Sequence, residues 1–359
     1  PTLAGKGIFL DVPLEREGVV KLALKDVRVS QVANHGIHVS DCVLPEDAPD
    51  ACGAGNNATG EGSPASVAVI VDGVTVYDVG NGKFDADGLR VDEREEGSIS
   101  LDAMNSSFEL VGADGVELDE AQAGDVLATI VDTAFVNNGG YCDPSLLESE
   151  LPDPDEREDI PVEEELVAAD ITPTGTPDDA CFEVEFETHD NSDFLSEYEV
   201  GIDLDDGIDL DEADDGSVRT TMVDSIIERN LDEGVDFDEA GKGGVTSSFI
   251  RVTADRNNDD GIKISEEDNG SVSSSVFLSR ARFNGGKGAV FEEEGKGNLS
   301  VDVTRTRTRG NDDGEVGVEA VQEDAGIGEL LLDNASIAET DGSGEVPGVE
   351  VDGVDITVN

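Results

Sequence analysis

The sequence predicts an all-β solenoid of stacked coils with short parallel strands, and three observations carry that prediction. Glycines at 88, 115, 207, 234, 261 and 288 open a recurring acidic phrase, and four of the steps between neighbours are 27 residues. A second glycine follows each of these nine residues later, at 97, 124, 216, 243, 270 and 297. Around the glycines, apolar and polar residues alternate in three short runs separated by three turns, and 27 residues then leave no room for a helix.

The first run follows the first glycine, as in Gly207-Ile208-Asp209-Leu210-Asp211-Glu212. A period of two marks a strand with one buried face. The second run follows the second glycine: Val218, Thr220, Met222; Val245, Ser247, Phe249; Val272, Ser274, Val276; Leu299, Val301, Val303. A third short strand is expected around Ser106-Ser107-Phe108 and Ser225-Ile226-Ile227. It runs toward an Asn at 138, 230, 257 and 284, and stacked Asn residues can hydrogen-bond side chain to backbone from coil to coil. Weaker copies begin at Gly36, Gly317 and Gly348, and a 27-residue step from Gly115 lands on Cys142. The whole chain, 1–359, reads as one domain of about ten coils, interrupted by insertions at 42–64 and 142–181. At roughly 4.8 Å per coil the rod is about 50 Å long.

Segments such as Asn257-Asn258-Asp259-Asp260-Gly261-Ile262-Lys263-Ile264 resemble the coil of the right-handed parallel β-helix, the pectate-lyase-like superfamily. The resemblance implies that fold. It does not imply one activity, because the superfamily holds lyases, hydrolases, epimerases and adhesins. Asp205-Asp206-Gly207-Ile208-Asp209 faintly resembles one polygalacturonase motif, but Gly-His-Gly, Arg-Ile-Lys and the pectate-lyase motifs are missing, and the chain has no Trp. No catalytic residue is assigned. His35 and His38, which flank Gly36-Ile37, and His189, in a polar run, are expected at the surface.

Charge narrows the partners. Lys and Arg total 22 against 85 Asp and Glu, a formal charge of −63. Such a chain repels nucleic acid and anionic membranes, attracts cations and suits a salty medium that screens self-repulsion. Regular apolar spacing argues against disorder, and no apolar stretch is long enough to span a membrane. The chain starts at Pro1 and shows no signal peptide, which fits a processed export product. Cys42 with Cys52, and Cys142 with Cys181, are expected to close the two insertions as disulfides in an extracytoplasmic compartment. The segment PVEEELVAAD in the second insertion reads as a short helix.

Two surfaces are candidates for function. The acids after each first strand are Asp92-Glu93, Asp119-Glu120, Asp211-Glu212, Asp238-Glu239, Ser265-Glu266 and Glu292-Glu293. Stacked roughly 5 Å apart they repel, and Ca²⁺, which takes six to eight oxygen ligands, would relieve the repulsion. The alternative is a solvated acidic edge. Against the overall charge, the 27-residue step superposes Arg280 on Arg307 and Arg282 on Arg309, with Arg251 and Arg305 nearby. This patch could hold an anionic polysaccharide or be consumed in internal salt bridges. The Ser and Thr column at Thr221, Thr246, Ser248, Ser273, Ser275 and Ser300 reads as ordinary polar exterior. Abrupt ends without caps raise end-to-end self-association. The expected function is a secreted or surface-exposed, non-enzymatic scaffold, structural, adhesive or cation-binding. The alternative is a lyase or hydrolase acting on anionic polysaccharide.

Overall fold

The computed structural model describes residues 5–42, 62–80, 86–139, 183–187, 197–201, 205–340 and 346–359. They form a parallel β-helix of about nine turns: two ten-stranded sheets and a nine-stranded one run the length of the rod. Each 27-residue phrase contributes one strand to each sheet. In one coil these are Val235–Gly241, Val245–Ile250 and Thr253–Asp255. Stacking is in register, so Val116, Ile208 and Val235 share one column and Val126, Val218 and Val245 another. Inside, these columns and the fully buried Phe108, Phe135, Phe237, Phe249 and Phe291 make one continuous apolar core. Phe108 stacks on Phe135 with ring centroids 5.6 Å apart.

The second sheet alternates buried and exposed residues, as in Asp125–Val131. The first sheet does not. Leu89–Glu95 and Val116–Gln122 are buried on both faces over six consecutive residues. The alternation alone predicts one buried face; ion pairs among the outward Arg, Asp and Glu side chains let the other face close as well.

The Asn column forms as the sequence predicts. Asn257 Oδ1 accepts hydrogen bonds from the Asn230 backbone N–H (3.2 Å) and side-chain amide (3.0 Å), and Asn284 Oδ1 accepts the same pair from Asn257. The column continues to Asn311 and ends on Glu339, whose Oε1 accepts the Asn311 side-chain amide at 2.8 Å. Asn257→Ala removes the acceptor for two buried donors, each costing about 1–3 kcal/mol when left unsatisfied. The variant is expected to lose about 2–3 kcal/mol, read as an earlier urea midpoint with an unchanged slope.

Between the coils at Val116 and Ile208 the partners lie 92 residues apart rather than 27, as in the Asn138 N–H bond to Asn230. Gly207 therefore takes the register place that the 27-residue step assigns to Cys142, and the interruption runs past 181. Within it an antiparallel hairpin pairs Glu183–Glu187 with Glu197–Gly201. Cys42 is disulfide-bonded. Cys52, Cys142, Cys181 and the expected helix at PVEEELVAAD lie outside the described residues. No helix among the described residues is long and apolar enough to cross a membrane.

Candidate functional site

The paired acids that end each first strand point in opposite directions, as a strand requires of neighbours. Glu93, Glu120, Glu212, Glu239, Glu266 and Glu293 are register partners, and every one is 0% exposed. They are not a solvated edge. Each turns into the following corner: Glu293 Oε1 accepts the N–H of Gly297 at 2.7 Å and of Gly295 at 3.2 Å. The second glycine of the repeat sits where it does because a side chain there would meet both the carbonyl oxygen of the corner glycine in the preceding coil and this carboxyl. A Cβ on Gly216 would lie 2.2 Å from Glu212 Oε1, and one on Gly270 2.4 Å from Glu266 Oε1.

The column is a spine of stacked carboxyls, and the side-chain oxygens of Glu93, Glu120, Glu212, Glu239 and Glu266 are buried with no hydrogen-bond donor among the described residues. Burial, then neighbouring carboxylates, push Glu120 up to about 11. Burial and the neighbouring Glu212 push Glu239 to about 8, and burial with Glu239 and Glu293 pushes Glu266 to about 9. Glu93 rises to about 8 and Glu212 to about 7, in both cases chiefly by burial. Stacked carboxyls can bond one another only by sharing a proton, and the raised values of Glu93, Glu120, Glu239 and Glu266 favour their protonated forms at neutral pH. Asp41 stands beside its Glu93 end, pushed up to about 6 mainly by burial, and Gln322 pairs with Glu293 at the other.

The outward partners lie on the first sheet's outer face. At the N-terminal end they form an ionic network: Arg90 Nε to Asp92 Oδ1 (2.7 Å), Arg90 Nη1 to Glu117 Oε2 (2.6 Å), and Arg94 Nη2 to Asp119 Oδ2 (2.5 Å). His38 Nε2 lies 2.5 Å from Asp92 Oδ2, and His35 Nδ1 lies 3.1 Å from Asp87 Oδ2. These two histidines, expected at the surface, are 8% and 6% exposed at positions 35 and 38. Carboxylates beneath them offset the cost of burial. Burial lowers the His38 pKa, favouring the neutral ring. Burial would raise Asp92, but Arg90 and His38 outweigh it and hold the carboxyl well below the usual range. His189 lies outside the described residues.

Further along the same face the cations thin out. The register column reads Arg90, Glu117, Asp209, Asp236, Lys263. Around its middle, carboxylate oxygens of Asp206, Asp232 and Glu233 lie within 4.8 Å of one another. Asp211 and Asp238 also stack there, followed by Ser265 and Glu292. Burial, with Asp238 and Asp119, pushes Asp211 up to about 8.

The arginine patch occupies the third sheet. Arg280 pairs in register with Arg307, and Arg282 with Arg309. Internal salt bridges consume some of it: Arg251 holds Asp224 in two bonds of 2.5 and 2.7 Å, and Arg282 forks onto Asp255. Arg280 reaches the same carboxylate only at 4.0 Å. Arg305, Arg307 and Arg309 are exposed and make no ion pair with any described residue.

Two members of this surface escape the sequence reading. Phe283 is 44% exposed, with Arg256 and Arg309 guanidinium carbons 5.5 and 5.8 Å from its ring centroid. Arg251, Leu278 and Arg305 flank the sheet on one side in left-handed backbone conformations, φ 57°, 53° and 50°; Arg256 and Phe283 do so on the other, φ 61° and 59°. Other coils place Asp224 and Asn334 at the first of these corners, residues that tolerate such a φ. The signal lay in the 27-residue step from Arg256 to Phe283. No family model matches the chain, and no curated protein or solved structure matches it.

Proposed function

We propose that the protein is a non-enzymatic, surface-exposed scaffold that grips an anionic polysaccharide along the third sheet of its β-helix. The observation that supports it best is the exposed Phe283 between Arg256 and Arg309, on the same sheet as Arg307 and its flanking Arg305, which make no ion pair with any described residue. A chain with 85 acids has abundant partners for its 22 bases, so guanidiniums on one strip that make no ion pair with any described residue suit an external anion. Arg presents a rigid fork that matches carboxylate and sulfate, and an aromatic face stacks against a sugar ring. Rows of Arg one coil apart, about 4.8 Å, suit a polymer whose charges recur along its length. The reading goes with an extracytoplasmic location and with membership of the pectate-lyase-like superfamily.

Titration with fluorescent oligosaccharides of alginate, pectate and a sulfated glycan in about 0.15 M salt tests the proposal and separates carboxylate from sulfate recognition. Arg307→Ala, Arg309→Ala and Phe283→Ala are each expected to weaken binding about tenfold, the effect of losing about 1.4 kcal/mol from one charge-assisted contact. Binding should fall as salt rises. The polymer should be recovered unshortened; shortening would favour the lyase or hydrolase instead. Absence of binding to all three glycans would defeat the proposal, as would variants that bind like the parent.

A further inference from the structure

At the corner of the coil between the second and third sheets, we infer that Asn105 and Asn334 are attachment sites for an N-linked glycan. Each opens an Asn-x-Ser triplet without proline, Asn105-Ser106-Ser107 and Asn334-Ala335-Ser336, the pattern that an N-glycosylating transferase reads. Both asparagines are exposed, as a bulky sugar requires. The buried asparagines among the described residues, Asn34, Asn138, Asn230, Asn257, Asn284 and Asn311, all lack a Ser or Thr two residues on. The triplet therefore occurs where a sugar has room and is missing where it has none.

The turn alone does not account for Asn paired with Ser. Coils round this corner on a left-handed residue: φ is 50° at Asn105 and Asn334, and 52°, 49° and 54° at Asp26, Asp132 and Asp224. These stack in one column, the Asn105 N–H bonding the Val131 carbonyl and the Asp132 N–H the Val223 carbonyl, each at 3.0 Å. Asp and Asn both tolerate such a φ, so either makes the turn. Two residues on, in one register column of the third sheet, the Asp corners carry Arg28, Ala134 and Ile226, while the Asn corners carry Ser107 and Ser336. Thr follows Gly73 and Arg251 at the same place, so a hydroxyl fits there without being needed for the turn. Both amides reach only exposed acids: Asn105 Nδ2 donates to Asp72 Oδ1 at 3.1 Å, and Asn334 Nδ2 to Asp333 Oδ1 at 2.8 Å. A glycosylated amide keeps one N–H and can keep that bond. The exposed triplets at Asn269 and Asn298 carry less, because the coil uses them itself: Ser271 Oγ accepts the Asn298 N–H, and Asn298 Oδ1 the Ile327 N–H, each at 3.0 Å. In the transfer, Asn Nδ2 bonds to the anomeric carbon of a glycosyl pyrophosphate donor as that carbon's bond to the phosphate oxygen breaks. The pyrophosphate leaves with the electron pair, and the amide gives up one proton. Donor and transferase belong to the export route, so the inference rests on the extracytoplasmic location proposed above.

Peptide mass mapping of the full chain purified from the cells that make it is the test. Peptides holding Asn105 and Asn334 are expected to carry a glycan on the Asn, and the peptide holding the buried Asn257 to carry none. Ser107→Ala and Ser336→Ala should each remove one glycan while leaving the Asn in place, and Ser336→Thr should retain it. Asn334→Asp reproduces the corners at Asp132 and Asp224; it should lose the sugar and melt with Ser336→Ala, which separates loss of the acceptor from loss of the fold. An unmodified Asn at either position overturns the inference, and so does a sugar that survives Ser336→Ala. Polysaccharide titrations on a chain made without the transferase keep the two readings apart. Binding there, with native Asn105 and Asn334 bare, defeats this inference alone; native sugars with no binding defeat the polysaccharide proposal alone.

Discussion

Between about pH 5 and pH 9 the melting temperature of the protein is expected to fall by about 10 °C. The buried glutamate spine sets this slope. In the unfolded chain a Glu titrates near 4.5, whereas Glu212 is held at about 7, Glu93 and Glu239 at about 8 and Glu266 at about 9. The folded state therefore binds more protons than the unfolded state across that window, and stability falls as pH rises. What the spine contributes is fully present below about pH 4.5 and is lost as pH rises through about 7 to 9. Each unit of displacement is worth about 1.4 kcal/mol, so the coupled spine stands for several kcal/mol in all. At about 2 °C or more per kcal/mol the shift is easily measured. Asp87 and Asp92, held below the usual range by their Arg and His partners, act in the opposite sense and cost stability as pH drops below about 4. A maximum near pH 4–5 follows. Circular-dichroism melts at fixed high salt should show it, since salt screens the surface charges but not the interior spine. Glu239→Gln, neutral at every pH and matching the amide already present at Gln322, should flatten the alkaline limb. A flat profile in the parent would refute the shared-proton spine, as would an unaltered slope in Glu239→Gln.

The coil was legible because it repeats. Gly234, Gly261 and Gly288 state the period, and the inward Val245, Ser247 and Phe249 pattern recurs in each copy. The Asn column and the stacking of Arg280 on Arg307 follow from the same arithmetic, since a 27-residue offset becomes vertical contact in any solenoid of that period. Direction was harder to read. Charge argues that both members of Asp238-Glu239 face water, yet strand geometry allows only one outward, and the glycine four residues on shows which turns in. That Glu-x-x-x-Gly spacing recurs at 93–97, 120–124, 212–216, 239–243, 266–270 and 293–297. It was the available sign of a carboxyl folded into a corner. Burial of His35 and His38 was not legible, because Asp87 and Asp92 reach them from 52 and 54 residues away across an insertion that breaks the period. Phe283 and Arg256 lie in corners, where alternation says nothing about which way a side chain projects.

Gly243→Ala is expected to abolish the cooperative melt of the folded rod or to lower it by well over about 10 °C. The corner glycines stack directly on one another. A Cβ at 243 would lie 1.3 Å from the carbonyl oxygen of Gly216 in the preceding coil and 2.8 Å from Glu239 Oε1. Neither neighbour has room to retreat. Gly216 is locked between two corners of the same kind, and a Cβ on it would itself meet the Gly124 carbonyl oxygen at 1.6 Å. Glu239 is wholly buried and stacked in register between Glu212 and Glu266, so moving it disturbs the glutamate spine as well. One methyl group must therefore force apart neighbouring coils that hydrogen-bond along all three sheets. A clash with backbone rather than with the end of a side chain belongs among the costliest single substitutions, about 4–5 kcal/mol or more. Because each coil is supported only by its neighbours, the break should divide the rod near its middle, exposing the apolar column through Phe237 and Phe249 and promoting aggregation on refolding. Gly5→Ala, where a Cβ meets nothing within 4 Å, is the control and should melt with the parent. A Gly243→Ala protein that melts within about 2 °C of the parent would show that the corners are looser than their stacking requires, and that the second glycine of each phrase has another cause.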